Sequence, residues 1–267
     1  WRSQRKARRI IQEFQPQVAV GVGGYASGPT LNVCEKMGIP TLLQEQNSYA
    51  GVTNKLLAKR ARRICVAYDN MQRFFPADRI LLTGNPVRQN LLHTKLTPEE
   101  ARKSLGLRPD VKTILVIGGS LGARTLNESV LSERVHLEAH PEVQILWQTG
   151  GYYKDAIAER LKTEGQPDNL VVTDFVTDMG AAYAAADLVI SRAGASSISE
   201  LALLGKPAIL VPSPNVAEDH QTHNALALVD KEAALYVKDN EAFDELIPLA
   251  LNTIADDALL SKLAHNV

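Results

Sequence analysis

The chain has 267 residues, a net charge of −1, 45% apolar residues and few aromatics. That is the composition of a globular α/β protein long enough for two modest domains. No apolar run approaches the ~20 residues of a bilayer span, the opening residues lack the apolar core of a signal peptide, and two cysteines, Cys34 and Cys65, make neither a disulfide framework nor a metal spacing, which points to a reducing cytoplasm.

The small net charge conceals an asymmetry. Residues 1–90 carry 14 Lys/Arg against 5 Asp/Glu, a balance of +9, and residues 91–267 carry −10. A basic lobe of this kind suits an anionic partner, although solvated helix faces give the same count.

Residues 1–14 set Arg2, Arg5, Lys6, Arg8 and Arg9 beside Trp1, Ile10, Ile11 and Phe14. This pattern is an amphipathic basic helix, fit to pack on a sheet or to rest on an anionic membrane. The chain starts without Met and already inside this helix, so it reads as a piece of a longer protein. Residues 18–22 form a buried strand. Gly23-Gly-Tyr-Ala-Ser-Gly-Pro29 then makes a strand-to-helix turn whose free amides suit phosphate, with Ser27 adding a hydroxyl; a purely structural turn needs the same glycines. After a helix to Lys36, the strand at 41–44 ends in Glu45-Gln46-Asn47, at the carboxyl end where open parallel sheets bind ligands. Another helix ends in a second basic cluster, Lys59-Arg-Ala-Arg-Arg63, and strands follow at 64–67 and 80–83. The hinge falls within 84–96, because Thr97-Pro-Glu-Glu100 caps a new helix with Pro at its first position. The domains are therefore read as 1–88 and 89–267.

The second lobe repeats the scheme. A strand from Thr113 runs into Gly118-Gly-Ser-Leu-Gly-Ala-Arg124, where Ser120 is placed to donate to a phosphate oxygen and a helix starts near Ala123. Strands at 144–148 and 170–172 and a helix at 179–186 lead to the strand at 188–190. Gly194 breaks that strand, Ser197-Ile-Ser-Glu200 reads as a capping box opening a helix, and a second strand lies at 208–211. Such a small-residue turn aims free amides and a helix dipole at one spot, which suits a diphosphate. Glu200, one turn in, either holds ribose hydroxyls or only completes the capping box. The fold class is α/β, two doubly wound parallel sheets whose strand C-termini face each other across a cleft.

The glycine turns lack the GxGxxG form of a dinucleotide site and the GK[ST] of a P-loop, and no Gly-x-Ser-x-Gly elbow occurs. The six histidines show no metal-ligand spacing. What remains is repeated diphosphate recognition, which favours group transfer from a nucleotide-activated donor. A helix N-terminus would then stabilise charge developing on the leaving diphosphate.

Six motifs in order resemble the MurG family, the N-acetylglucosaminyltransferases of peptidoglycan synthesis. They are the Gly23–Pro29 turn, Glu45-Gln-Asn47, Gly84-Asn-Pro-Val-Arg88, the Gly118–Arg124 turn, Arg192-Ala-Gly-Ala195 with Ser199-Glu200, and Asp219-His-Gln221 with Asn224-Ala225. The resemblance spans nearly the whole chain. It implies a GT-B fold, UDP-N-acetylglucosamine as donor, lipid I as acceptor and lipid II as product, formed by an inverting displacement with no cofactor or tightly bound metal. It further implies that uracil lies against Val176 and that Glu200 takes the ribose hydroxyls. Ser120 and the amides of Ala195, Ser196 and Ser197 would hold the diphosphate, within a donor-binding set that includes Arg192, Ile198 and Ser199, with Arg88 adding charge. Asn47 and Gln221 would bind sugar hydroxyls, and Gly23, Gly24, Tyr25, Ser27 and Gly28 would face the acceptor pyrophosphate. Glu45 borders the same cleft, as a catalytic residue or as a carboxylate that positions its loop. The basic lobe is then expected to dock on the anionic cytoplasmic face of the cell membrane, with no nucleic-acid partner.

Two departures stand out. The family's first glycine loop, which ends in a histidine, would precede Trp1, and its tail helix would follow Val267. The piece is accordingly expected to bind donor without turning it over, and to expose apolar sheet surface that invites aggregation. The rival readings are another GT-B sugar transferase acting on a membrane lipid, a UDP-N-acetylglucosamine 2-epimerase, and a donor-binding module without turnover.

Overall fold

The computed structural model describes residues 2–267, apart from the side chain of Ala217. Trp1, expected beside the basic helix, lies outside the described residues. The chain forms two units, one made of residues 1–86 with 217–224 and the other of 87–216 with 225–267.

The first unit runs α1 (Arg2–Phe14), β1 (Ala19–Gly21), α2 (Gly24–Lys36), β2 (Thr41–Glu45), α3 (Val52–Leu57), β3 (Arg63–Val66) and β4 (Ile80–Leu82). Its sheet is parallel in the order β1-β2-β3-β4, with Val20 opposite Leu42 and Leu43 opposite Ile64. Leu31, Leu43, Leu57, Ile64, Met71 and Phe75 make the core. Ile11 of α1 is buried against Val33 and Cys34 of α2. The basic residues of α1 face solvent together with Ile10 and Phe14. Val20 and Val22, on and just past the edge strand β1, are also exposed.

The second unit comprises α4 (Pro98–Ser104), β5 (Lys112–Ile117), α5 (Arg124–Ser132), α6 (Arg134–Glu138), β6 (Val143–Gln148), α7 (Lys154–Glu164), β7 (Leu170–Thr173), α8 (Met179–Ala185), β8 (Leu188–Ser191), α9 (Ala195–Leu204), β9 (Ala208–Leu210), the second half of α10 (His220–Val229), β10 (Leu235–Tyr236), α11 (Ala242–Ala255) and α12 (Asp257–Asn266). Thr97 caps α4 with the full capping box to Glu100. Strands β6 and β8 are buried along their whole length, and β5 from Thr113 onward, as a parallel sheet covered on both faces requires.

The six strands lie in the order β10-β9-β8-β5-β6-β7. The chain winds outward from β5 through β6 to β7, returns to β8 beside β5, and winds the other way. The reversal between β5 and β8 is a topological switch point, and the carboxyl ends of those two strands frame the crevice where such sheets bind ligands. The double winding expected of both sheets is thus present in the six-stranded one. The four described strands of the other follow chain order in a single direction.

Candidate functional site

At the switch point, β5 leads into the turn 118–122. Gly119 and Gly122 have φ of +84° and +81°. A Cβ on Gly122 would stand 2.0 Å from the Thr149 carbonyl oxygen, and one on Gly150 would stand 2.3 Å from the Gly122 nitrogen. Only two glycines let the turns after β5 and β6 cross this closely. Ser120 is exposed on the first of these turns. Gln148, the last residue of β6, ties the turn to a third loop: its Nε2 donates to the Gly119 carbonyl at 2.9 Å, and its Oε1 accepts from the Val176 amide at 2.9 Å. The Val176 side chain itself is buried.

Across the switch point, β8 ends at Ser191 and α9 opens at Ala195, with extended Gly194 as its N-cap and no side-chain cap. The capping box read at Ser197–Glu200 is therefore corrected. The turn after β8 is short, so helical geometry begins three residues before the expected start; Ser197 and Glu200 already lie inside the helix. Ser199 bonds back to the Ala195 carbonyl at 2.8 Å, and Ile198 is buried. The uncapped amides of Ala195, Ser196 and Ser197 are the orphan donors of the helix N-terminus, a ready anion site.

Released from capping, the Glu200 carboxylate has other partners. Oε1 accepts from Arg88 Nε at 3.1 Å and Nη2 at 2.9 Å, and Oε2 accepts from the Tyr183 hydroxyl at 2.9 Å. Glu200 is 9% exposed and Tyr183 1%. Burial, and then the Glu200 charge, push the Tyr183 phenol far above its ordinary pKa, so at neutral pH it remains a proton donor. Arg88 reaches Glu200 from the segment before Thr94, whose hydroxyl would stand 2.1 Å from a Cβ on Gly180 of α8. Arg192, expected in the donor set, donates through Nη1 to the carbonyls of Val211 and Pro212 and pairs with Asp239.

The remaining expected residues lie in the first unit. Gly23 and Gly24 turn with φ of +85° and +77° into α2, where Tyr25 is fully exposed. The hydroxyl of Ser27 is buried and has no partner among the described residues; Gly28 follows it on the same helix. Glu45 is 2% exposed and holds its loop through four bonds. Oε1 accepts from the Asn47 amide and side chain at 3.2 and 3.4 Å, and Oε2 from the Gly51 amide and Asn54 Nδ2 at 3.0 and 2.9 Å. This geometry is that of a positioning carboxylate. Glu45→Ala strands all four donors and is expected to cost about 2–4 kcal/mol; an unchanged urea midpoint would contradict it.

The segment 217–224 closes on this loop. Asn224 accepts from the Ser48 amide at 2.9 Å and donates to Asn47 Oδ1 at 3.0 Å, while His223 stacks on Tyr49 with centroids 4.9 Å apart. Gln221 lies one turn before Asn224 on α10. Of the residues expected at the donor, Asn47 and Gln221 lie in the first unit and Arg88, Ser120, Val176, Arg192 and 195–200 in the second. Sequence reasoning missed Gln148, Tyr183 and Asn54. The signal for Gln148 was available, since a polar residue closes an otherwise apolar strand in register with Ile117, just before the glycine turn.

Parallel sheets of this kind, with an uncapped helix and glycine turns at a switch point, are the architecture of the GT-B fold. Residues 113–265 match the glycosyltransferase family 28 C-terminal domain and residues 1–66 the family 28 N-terminal domain. The whole chain is 64% identical over 266 residues to a protein of Bacteroides fragilis named UDP-N-acetylglucosamine--N-acetylmuramyl-(pentapeptide) pyrophosphoryl-undecaprenol N-acetylglucosamine transferase, and covers 70% of that protein. The crystal structure of MurG from Acinetobacter baumannii superposes with a TM-score of 0.75 at 32% identity, over 98% of this chain and 72% of that one. The chain belongs to the MurG family of UDP-N-acetylglucosamine-dependent N-acetylglucosaminyltransferases. A UDP-N-acetylglucosamine 2-epimerase, with a TM-score of 0.67 at 13% identity over 99% of this chain and 71% of that one, shares the fold alone.

Proposed function

We propose that this chain takes the roles of its family residue by residue: it binds UDP-N-acetylglucosamine, with its second unit taking the nucleotide, and serves transfer of N-acetylglucosamine to lipid I, giving lipid II. The observation that carries the reading is Glu200, a nearly buried carboxylate just inside α9, beside three uncapped amides at the switch point. The amides of Ala195–Ser197 with Ser120 hold the diphosphate, Glu200 accepts from the ribose, and the Val176 loop receives the uracil. Asn47 and Gln221 recognise the sugar, and the Gly23–Gly28 turn faces the acceptor pyrophosphate. In the displacement an acceptor hydroxyl attacks the anomeric carbon, forming a new C–O bond and giving up its proton. The anomeric bond to the diphosphate breaks, and UDP leaves with the charge that the α9 N-terminus and Arg88 stabilise.

No helix among the described residues is long and apolar enough to cross a membrane. Exposed Arg2, Arg5, Lys6 and Arg8 on α1, with Ile10 and Phe14 beside them, support docking on the anionic cytoplasmic face of the membrane.

Calorimetric titration tests the donor assignment, with UDP-glucose and UDP-N-acetylgalactosamine as controls. Saturable binding that prefers UDP-N-acetylglucosamine is expected, together with transfer of labelled sugar to lipid I in vesicles by the chain or by its full-length form. A folded chain that binds none of the three nucleotides, or all three equally, would contradict the reading.

A further inference from the structure

The two partners of Glu200 differ in kind. Arg88 ends both of its N–H bonds on Oε1, and its side chain is 55% exposed; an ion pair this open to solvent is easily exchanged. Tyr183 donates from the buried α8–α9 contact to Oε2. Its hydroxyl has no other acceptor among the described residues, and a buried hydrogen bond to a carboxylate is costly to lose. A carboxylate offers about four lone-pair sites over its two oxygens. With Tyr183 on Oε2, the second Oε2 site is left, and Oε1 becomes available once Arg88 moves. Two neighbouring acceptors in one fixed plane are what a vicinal diol requires.

We propose that Tyr183 is a positioning residue of the donor site: by holding Oε2 it fixes the Glu200 carboxylate for the ribose diol, while Arg88 is the partner that yields. This rests on Glu200 being the ribose acceptor, as proposed above. Nothing in the motifs marks Tyr183, because its ring reads as core.

The test compares UDP with 2′-deoxy-UDP by calorimetry on the wild-type chain and two variants. The wild type is expected to favour UDP about tenfold, the worth of one hydrogen bond to a charged group. Tyr183→Phe should weaken UDP about tenfold but 2′-deoxy-UDP less than about twofold, so that the discrimination collapses. Arg88→Ala, an exposed change that leaves the fold intact, should lower both affinities and preserve their ratio. In a Glu200→Gln background, Tyr183→Phe should change UDP affinity by less than about twofold, since the coupled partner is already altered. Equal weakening of both nucleotides by Tyr183→Phe would reduce Tyr183 to packing and overturn the proposal. A ratio that collapses in Arg88→Ala instead would assign the positioning to Arg88. A wild type that does not discriminate would remove the ribose reading of Glu200 itself.

Discussion

Glu200→Ala is expected to weaken UDP-N-acetylglucosamine binding by at least about a hundredfold, because two hydrogen bonds to a charged acceptor at about 1.5 kcal/mol each are lost. Three groups converge on this carboxylate: the Tyr183 hydroxyl, the Arg88 guanidinium and, in the proposed complex, the ribose. The truncation also leaves the Tyr183 hydroxyl buried without an acceptor, which costs about 1–3 kcal/mol of stability. Glu200→Gln keeps the shape and one acceptor oxygen, and should fall between the two. Titration at constant pH, with melting curves for both variants, separates lost recognition from lost fold. Binding by Glu200→Ala within a few-fold of wild type, on a folded chain, would sink the assignment.

Gly122→Ala is expected to be among the most damaging single methyls in the second unit, with Gly150→Ala at the same crossing. Its Cβ would stand 2.0 Å from the Thr149 carbonyl oxygen, at a φ of +81° that side chains rarely adopt. The opposing backbone has little room to retreat. The Thr149 amide bonds to Thr173, the Gly150 amide to Asp174, and the Thr149 carbonyl accepts from Asn127. We expect a loss of more than about 3 kcal/mol, with several degrees of melting temperature. Gly119→Ala is the matched control, since its φ of +84° is similar but nothing lies within 4 Å of the added Cβ. It should cost about 1 kcal/mol, the strain of the left-handed region alone. Equal melting of the two variants would show that backbone strain, not the crossing of the turns, is what the glycine relieves.

Strand–glycine–helix punctuation was legible in the sequence because it is local. Apolar runs that end at Gly23, Gly118 and Gly194 can be little else, and they locate the turns that frame both units. What escaped depends on partners far along the chain. Arg192 reads as a ligand-side cation, and its bond through Nη1 to Asp239, 47 residues on, is one that no local pattern shows. Ser197–Glu200 reads as a capping box because the pattern is right, and only the tight turn after β8 shows that the helix has already begun. The return of 217–224 to the first unit rests on Asn224 meeting Asn47 and Ser48 across more than 170 residues, which no local pattern encodes. For Glu45 the sequence left two roles open, and four converging donors favour the positioning one.

Gln148 makes the Val176 loop and the Gly119 turn parts of one pre-assembled body. One amide group spans Gly119 and Val176 from a strand end that is buried, and the crossed glycines lock the first of these turns to the turn after β6. The entropy of ordering these loops is therefore settled when the chain folds and is not charged again when a nucleotide arrives. The advantage of a joined ligand over its two fragments should then come from the single loss of translational and rotational freedom. A nucleoside without phosphate, or pyrophosphate alone, gains little, and the intact nucleotide binds far more tightly than the two fragments would suggest.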